Sequence, residues 1–328
     1  PEVLNTFGKN VLLVYGGGSI KKSGLYDQVM AQLQNNDNQV TELAGVEPNP
    51  RIETVAKGAE LCRTEKIDVI LAVGGGSVID CSKVIAGAAC SEEDPWTLVT
   101  KRSYQGPALP LVTVLTLAAT GSEMNRGAVI TNLTAKQKLG VHGPNFLPKV
   151  SFLDPTWTFS VNRYQTAAGS ADIMSHLIEN YFSTTENTDV QDGIAEGLLK
   201  AVITNLPIAL DTPDDYDARA NLMWASTLAL NGLTGSGKAG AWSCHPMEHE
   251  LSAFYDITHG IGLAILTPRW MLHVLNETTA PKLARFAREV FQVEEAVPEM
   301  AARMGIQKLY DFFLACGIPM PFDHYATP

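Results

Sequence analysis

Residues 68–89, DVILAVGGGSVIDCSKVIAGAA, place an apolar run, three glycines and an amphipathic stretch in direct succession. Five apolar residues from Val69 to Val73 with no polar alternation predict a strand buried on both faces, which is the environment of a parallel sheet. Ser77 to Ala89 reads as the helix that follows it, so the segment opens a strand–helix unit with glycines at the turn. The same grammar extends outward. NVLLVYG at 10–16 reads as a strand, GLYDQVMAQLQ at 24–34 as a helix and NPRIETVAKGAELCRTEK at 49–66 as a second helix. PLVTVLTL, GAVITN and KVSFLDP add strands up to Pro155. From about Thr158 onward the pattern is helical, through YQTAAGSADIMSHLIENYF, VQDGIAEGLLKAVITNLPIAL, DARANLMWASTLALNGLTG, TAPKLARFAREVF and MAARMGIQKLYDFFLACG. The expectation is a doubly wound α/β domain over residues 1–155 and an all-helical domain over 156–328, hinged at Asp154-Pro155. Pro1-Glu2-Val3-Leu4 reads as helix ahead of the first strand, so the chain is expected to begin inside a domain.

Composition narrows the function classes. Lys and Arg total 24 against 35 Asp and Glu, a formal charge of −11, which argues against nucleic acid or an anionic membrane as partner. No uninterrupted apolar run reaches about 18 residues, so no membrane span is expected. Cys62, Cys81, Cys90, Cys244 and Cys316 are scattered and odd in number, the usage of reduced thiols in a cytoplasmic chain.

Chemistry concentrates in two windows. Asp172 and His176 lie four apart in ADIMSHLIENYF, and His245, His249 and His259 follow in WSCHPMEHELSAFYDITHG. Residues four apart share a helical face, so each window offers paired donors. On one straight helix His245 and His259 would stand about 21 Å apart, and the chain must turn back between them, with Phe254 to Thr258 as the break. One Asp with three of the four His makes a site for a first-row divalent ion, Zn²⁺ or Fe²⁺. Cys244 points away from His245 and is left out. His142, His273 and His324 read as ordinary side chains.

Two glycine loops leave strands, Gly16-Gly17-Gly18-Ser19 and Gly74-Gly75-Gly76-Ser77. Each fits a tight turn as well as a phosphate site, and the second leads straight into a helix whose N–H groups could face a phosphate. A third loop, AATGSEMN at 118–125, adds the hydroxyls of Thr120 and Ser122. Together they suit an elongated phosphorylated ligand, a dinucleotide above all.

VGGGSVID, LAATGSEMN, ADIMSH and the HxxxHx₉H run, in this order, resemble the iron-containing alcohol dehydrogenase family, in its butanol dehydrogenase and aldehyde reductase branch. The resemblance implies an NAD(P)-binding α/β domain, a metal-binding helical domain and a homodimer. It assigns the metal to Asp172, His176, His245 and His259, and puts His249 beside the nicotinamide as a proton relay. It assigns cofactor contacts to Gly74, Gly75, Gly76, Ser77, Asp80, Thr120, Ser122 and Lys138. The reaction implied is hydride transfer between NAD(P)H and short-chain aldehydes such as butanal. NADP(H) is favoured over NAD(H), because the loop Gly16 to Ser19 carries no acid to repel a 2′-phosphate and Lys21 and Lys22 follow it. Relatives of this kind carry further segments at both ends, and Arg126 stands where they have a small residue.

Rival readings are a dehydroquinate synthase-like lyase, a glycerol dehydrogenase and a metal-dependent hydrolase. The first needs basic side chains that the metal windows lack, and the last leaves the glycine loops unexplained. A GxSxG elbow is missing, which removes the serine hydrolases. Trp242, Phe254, Tyr255 and Ile257 suggest an apolar pocket beside the metal.

Overall fold

The computed structural model describes residues 2–240 and 242–321, and they form two compact units. His324 lies outside the described residues. The first unit spans residues 1–117 and 121–160. Its elements run α1 (Glu2–Asn5), β1 (Asn10–Tyr15), α2 (Ser19–Lys22), α3 (Leu25–Asn35), β2 (Gln39–Leu43), α4 (Ile52–Thr64), β3 (Val69–Gly74), α5 (Gly76–Ala89), α6 (Pro95–Thr100), β4 (Leu111–Leu115), β5 (Gly127–Asn132), β6 (Gln137–His142) and β7 (Val150–Leu153).

Five strands pair in the order β2-β1-β3-β4-β7, every pair parallel, and β5 with β6 forms a separate antiparallel pair. β1 and β3 are buried almost throughout, as their unbroken apolar runs require. Val14 stands opposite both Leu43 and Ala72, and Gly74 opposite Leu115, so the loops after β1, β3 and β4 leave one edge of the sheet. The strand order reverses between β1 and β3. That switch point, where both glycine loops emerge, is where doubly wound sheets open a crevice for ligands.

Two strands escape a reading by apolar runs. β2 has the sequence QVTEL at the sheet edge and buries fully only Leu43, and β6 has the sequence QKLGVH. The hinge expected at Asp154-Pro155 lies within this unit. The Asp154 side chain accepts from Thr156 N and caps a short turn over Pro155–Thr158, and Trp157 packs on the α/β core, so the chain leaves the unit only after Ser160.

The second unit holds residues 118–120 and 161–328. It contains α7 (Arg163–Tyr181), α8 (Asp189–Asp211), α9 (Tyr216–Leu230), α10 (Cys244–Tyr255), α11 (His259–Val274), α12 (Ala280–Phe291) and α13 (Pro298–Ala315), with no strand among its described residues. One apolar core joins α7, α8, α9, α11, α12 and α13. α7 is buried on every side from Thr166 to Glu179, the signature of a central helix, so polar residues on it face protein and must find partners there.

α8 has no uninterrupted apolar run, since Glu196, Lys200 and Asn205 break it. It is long and apolar enough to cross a membrane by length and composition, a test that the core helix of a globular unit also passes. Its Asp192 bonds Lys238 at 2.6 Å and also Lys282, and its Glu196 accepts from Tyr181 at 2.7 Å and Arg285 at 2.8 Å. These contacts tie its polar positions to α7, to α12 and to the turn that carries Lys238.

Candidate metal centre and nucleotide loops

α7 begins cleanly because the Asn162 side chain accepts from Gln165 N at 2.8 Å. It can lie hard against α11 because Gly260 has no side chain: a Cβ there would sit 1.9 Å from the Ala168 carbonyl oxygen. That approach brings the buried face of α7, with Asp172 and His176, to the first turn of α11, where His259 is the first residue. α10 ends at Tyr255, and Asp256 takes a left-handed conformation with φ of 50°. The chain thus turns back where the spacing of His245 and His259 demanded it.

The donors converge on one atom. Asp172 Oδ1 lies 3.5 Å from His176 Nε2, 3.7 Å from His245 Nε2 and 3.6 Å from His259 Nε2. Four donors at tetrahedral corners with bonds of about 2.0–2.2 Å stand roughly 3.3–3.6 Å apart. Asp172, His245 and His259 offer donor atoms that all lie within 4.8 Å of one another. His176 stacks on His245 with ring centroids 4.6 Å apart, and joins the group through its approach to Asp172. Asp172 Oδ1 and His245 Nε2, both on the inner side of the cluster, are buried without a hydrogen-bond partner. Such orphaned atoms carry a desolvation cost that a cation at their centre would offset.

The far nitrogens explain why these atoms face inward. His245 Nδ1 bonds Glu179, and His259 Nδ1 bonds Glu248. A carboxylate on Nδ1 holds the proton there and leaves the Nε2 lone pair for a metal. Glu179 is itself fixed by the first turn of α10, accepting from Ser243 N at 2.6 Å and Cys244 N at 2.7 Å. Neither carboxylate was among the residues singled out from sequence. The available signal was spacing, since Glu179 follows His176 by three and Glu248 follows His245 by three, on shared helical faces.

Electrostatics agree with a cation site. Burial alone would raise Asp172, but the imidazoles of His176, His259 and His245 outweigh it and hold the carboxyl well below its usual range. Burial pushes His176 down to about 4, so it presents a neutral lone pair at neutral pH. Burial also opposes charge on His245, yet Asp172 and Glu179 prevail and raise it to about 9, so a metal at Nε2 must displace a proton there. Cys244 stays out of the cluster, as expected, its thiol pushed up to about 12 by burial and by Glu179.

His249 flanks the cluster, half-buried, its ring 5.7 Å from that of His259 and 6.5 Å from that of His245. The pocket expected from four apolar residues needs correction. Trp242 covers the imidazoles, 4.6 Å from the His245 ring and 5.7 Å from that of His176, and Ile257 is buried. Phe254 and Tyr255 are instead 60% and 50% exposed, because they occupy the outer face of the last turn of α10.

In the α/β unit, Gly18 caps α2 with φ of 111°, a left-handed conformation that suits glycine, and a Cβ on Gly17 would meet nothing within 4 Å. At the second loop, a Cβ on Gly74 would lie 2.5 Å from the Val78 side chain, so glycine lets α5 start directly off β3. Gly75 caps α5 and Gly76 opens it, with Ser77 in the first turn. Asp80 accepts from the Ser122 hydroxyl at 2.5 Å and from Val129 N at 2.8 Å, and so ties the third loop to α5. Ser122 is buried, Lys138 on β6 is buried, and Thr120 groups with the helical unit.

Two further clusters appear that sequence did not suggest. Lys83, fully buried, donates to Asn125 Oδ1 at 2.9 Å and Gly127 O at 2.7 Å, and burial pushes it down to about 8. At the end of β1, Glu42 accepts from Tyr15 Oη at 2.6 Å and Tyr26 Oη at 2.9 Å, and Lys21 Nζ stands 4.5 Å from the centre of the Tyr26 ring.

Two family models cover this architecture. Residues 1–155 match the model of the iron-containing alcohol dehydrogenases, and residues 166–327 that of the C-terminal part of the same family. The chain belongs to the iron-containing alcohol dehydrogenase family. It is 53% identical to NADH-dependent butanol dehydrogenase A of Clostridium acetobutylicum, over 97% of this chain and 82% of the relative. It is 40% identical to the NADPH-dependent aldehyde reductase YqhD of Escherichia coli, over 96% of this chain and 81% of the relative. The solved structure of the Thermotoga maritima NADH-dependent butanol dehydrogenase A superposes with a TM-score of 0.95 at 41% identity, covering 100% of this chain and 82% of that one. Within the family the chain falls in the butanol dehydrogenase and aldehyde reductase branch, and it is a metal-dependent, NAD(P)-linked oxidoreductase of the alcohol dehydrogenase type. The expected architecture, an α/β unit followed by an all-helical one, is the one observed.

Proposed function

We propose that the chain interconverts short-chain aldehydes such as butanal with their primary alcohols, using NADH and one divalent ion, Fe²⁺ or Zn²⁺, held by Asp172, His176, His245 and His259. The observation that carries this reading is the convergence of three imidazole Nε2 atoms within 3.5–3.7 Å of Asp172 Oδ1. When bound, the ion polarises a carbonyl oxygen and the nicotinamide supplies the hydride. Asp172 offsets part of the ion's charge, and Glu179 and Glu248 keep two imidazoles in the ligating tautomer. Trp242 keeps water from the imidazole faces. His249 passes a proton between the substrate oxygen and solvent.

Three observations favour NADH over the expected NADP(H). The acid absent from the first glycine loop is supplied by Glu42 at the end of β2, the position from which an acid reads the ribose 2′-hydroxyl in doubly wound folds. Lys21, counted as a partner for a 2′-phosphate, lies over the rings of Tyr26 and Tyr15. Relatives named for NADH are 53% and 51% identical, against 40% for the relative named for NADPH. We further propose a homodimer working in the cytoplasm.

Metal analysis of anaerobically purified protein, joined to oxidation of NADH and of NADPH with butanal, tests the reading. One ion per chain and aldehyde-dependent turnover, faster with NADH, is the expected result. Protein without a divalent ion, or turnover confined to glycerol or to phosphorylated acids, would overturn it.

A further inference from the structure

We propose that Glu248 is a positioning residue that sets the metal affinity of the site by locking His259, a role that rests on the metal reading above. Glu248 is 0% exposed on α10 and touches two things that matter. One carboxylate oxygen bonds His259 Nδ1 across the helix break, and the other bonds the Ser252 hydroxyl one turn along its own helix. Ser252 in turn lies 3.1 Å from the Ile257 carbonyl, inside the bend that leads to His259. A single buried carboxylate therefore joins α10, the bend and the first residue of α11.

α11 is built to admit it. Gly262 stands three residues beyond His259, and a Cβ there would lie 2.8 Å from Glu248 Cγ and 3.3 Å from Oε1. A bare position on the face below His259 is what lets the carboxylate reach the ring. His259 also needs the support more than its partner does. Its side chain is 23% exposed against 7% for His245, and it starts its helix just past the bend, while the carboxylate behind His245 is pinned by backbone N–H groups at 2.6 Å and 2.7 Å. Losing Glu248 frees both the tautomer and the ring angle of the more exposed ligand, without removing any ligand.

The test measures Co²⁺ and Zn²⁺ affinity of the metal-depleted full chain by competition with a chromophoric chelator, and records the visible Co²⁺ spectrum. Glu248→Gln keeps the shape and should weaken binding about 10- to 100-fold, the usual cost of losing such a partner. Gly262→Ala leaves every ligand and carboxylate in place, and should weaken binding in the same direction by displacing Glu248. Glu250→Gln, on the exposed face of the same helix, should bind as the parent does. A purely structural Glu248 would lower the melting temperature of the metal-depleted chain and leave both the affinity and the Co²⁺ spectrum of Glu248→Gln at parent values. That result overturns the proposal alone. A parent chain that takes up neither ion overturns the metal reading and this proposal with it.

Discussion

Two buried polar clusters, one in each unit, differ in whether they are finished. In the α/β unit Lys83 is satisfied by Asn125 and Gly127, and Asp80 by Ser122 and the Val129 amide. In the helical unit, Asp172 Oδ1 and His245 Nε2 are equally buried, face each other, and have no hydrogen-bond partner. A closed network is a clamp: it holds a loop to a helix and asks for nothing further. An open one, with the outer nitrogens of His245 and His259 fixed by carboxylates, is arranged for a charge from outside. The same ingredients, a carboxylate and its polar neighbours, thus serve different ends according to how many lone pairs remain.

The largest expected effect breaks the open cluster. His259→Ala should abolish metal retention and turnover together, since the three remaining donors hold an ion weakly. The melting temperature should also fall in metal-containing buffer and not in chelator, because an ion that binds only the folded chain stabilises it. Metal analysis and calorimetry check this. A variant with one ion per chain and near-normal turnover removes His259 from the site.

Closing the comparison from the other side, Lys83→Met should alter stability and leave metal content unchanged. Burial pushes Lys83 down to about 8 in the folded chain, from the ordinary lysine value of 10.5. Between those values the unfolded chain binds the extra proton, so this group destabilises the fold fully below about 8 and progressively less as pH rises to about 10.5. The difference in unfolding free energy between parent and variant should therefore change across that window by about 3 kcal/mol. Urea melts at pH 7.5 and 10.5 read it, and parallel curves would mean that Lys83 is not held as a strained cation.

How far the sequence disclosed these two clusters depends on what kind of information each needed. The metal residues were legible because Asp172 with His176, and His245 with His249, repeat the helical spacing, and because His259 required a break that Phe254 to Thr258 could supply. The supporting carboxylates were equally regular in spacing, but a Glu on a helix is ordinarily solvated. Only the burial of α7 and α10 in three dimensions separates Glu179 and Glu248 from surface acids. Lys83 hid for the same reason, inside a helix read as amphipathic that is in fact buried along nearly its whole length. The buried strands followed from apolar runs. β2 and β6 did not, because they gain their place from pairing and not from burial.

His249→Phe sharpens the edge of the open cluster. His249 stands beside His259 without joining the three donors gathered around Asp172 Oδ1. The variant should keep one ion per chain, lose about 10²-fold in turnover, and flatten the pH profile between roughly 6 and 8. Metal lost in proportion to activity would make His249 a ligand.

The smallest effect asks whether a closed cluster can also read a ligand. Glu42, Tyr15, Tyr26 and Lys21 satisfy one another at the end of β1, but unlike Lys83 they sit at the switch point of the sheet, and Glu42 is exposed. If the carboxylate faces the ribose, it favours a 2′-hydroxyl and repels a 2′-phosphate. Glu42→Gln should then lower the ratio of kcat/KM for NADH over NADPH about tenfold, with NADPH improving more than NADH weakens. Gly17→Asp introduces an acid where a side chain meets nothing within 4 Å, and should move the ratio the opposite way by raising the KM for NADPH. Opposite shifts from two acids in one neighbourhood are hard to obtain from structural damage, which would depress both cofactors alike. Equal effects on NADH and NADPH in both variants would reduce Glu42 to a brace for its two tyrosines.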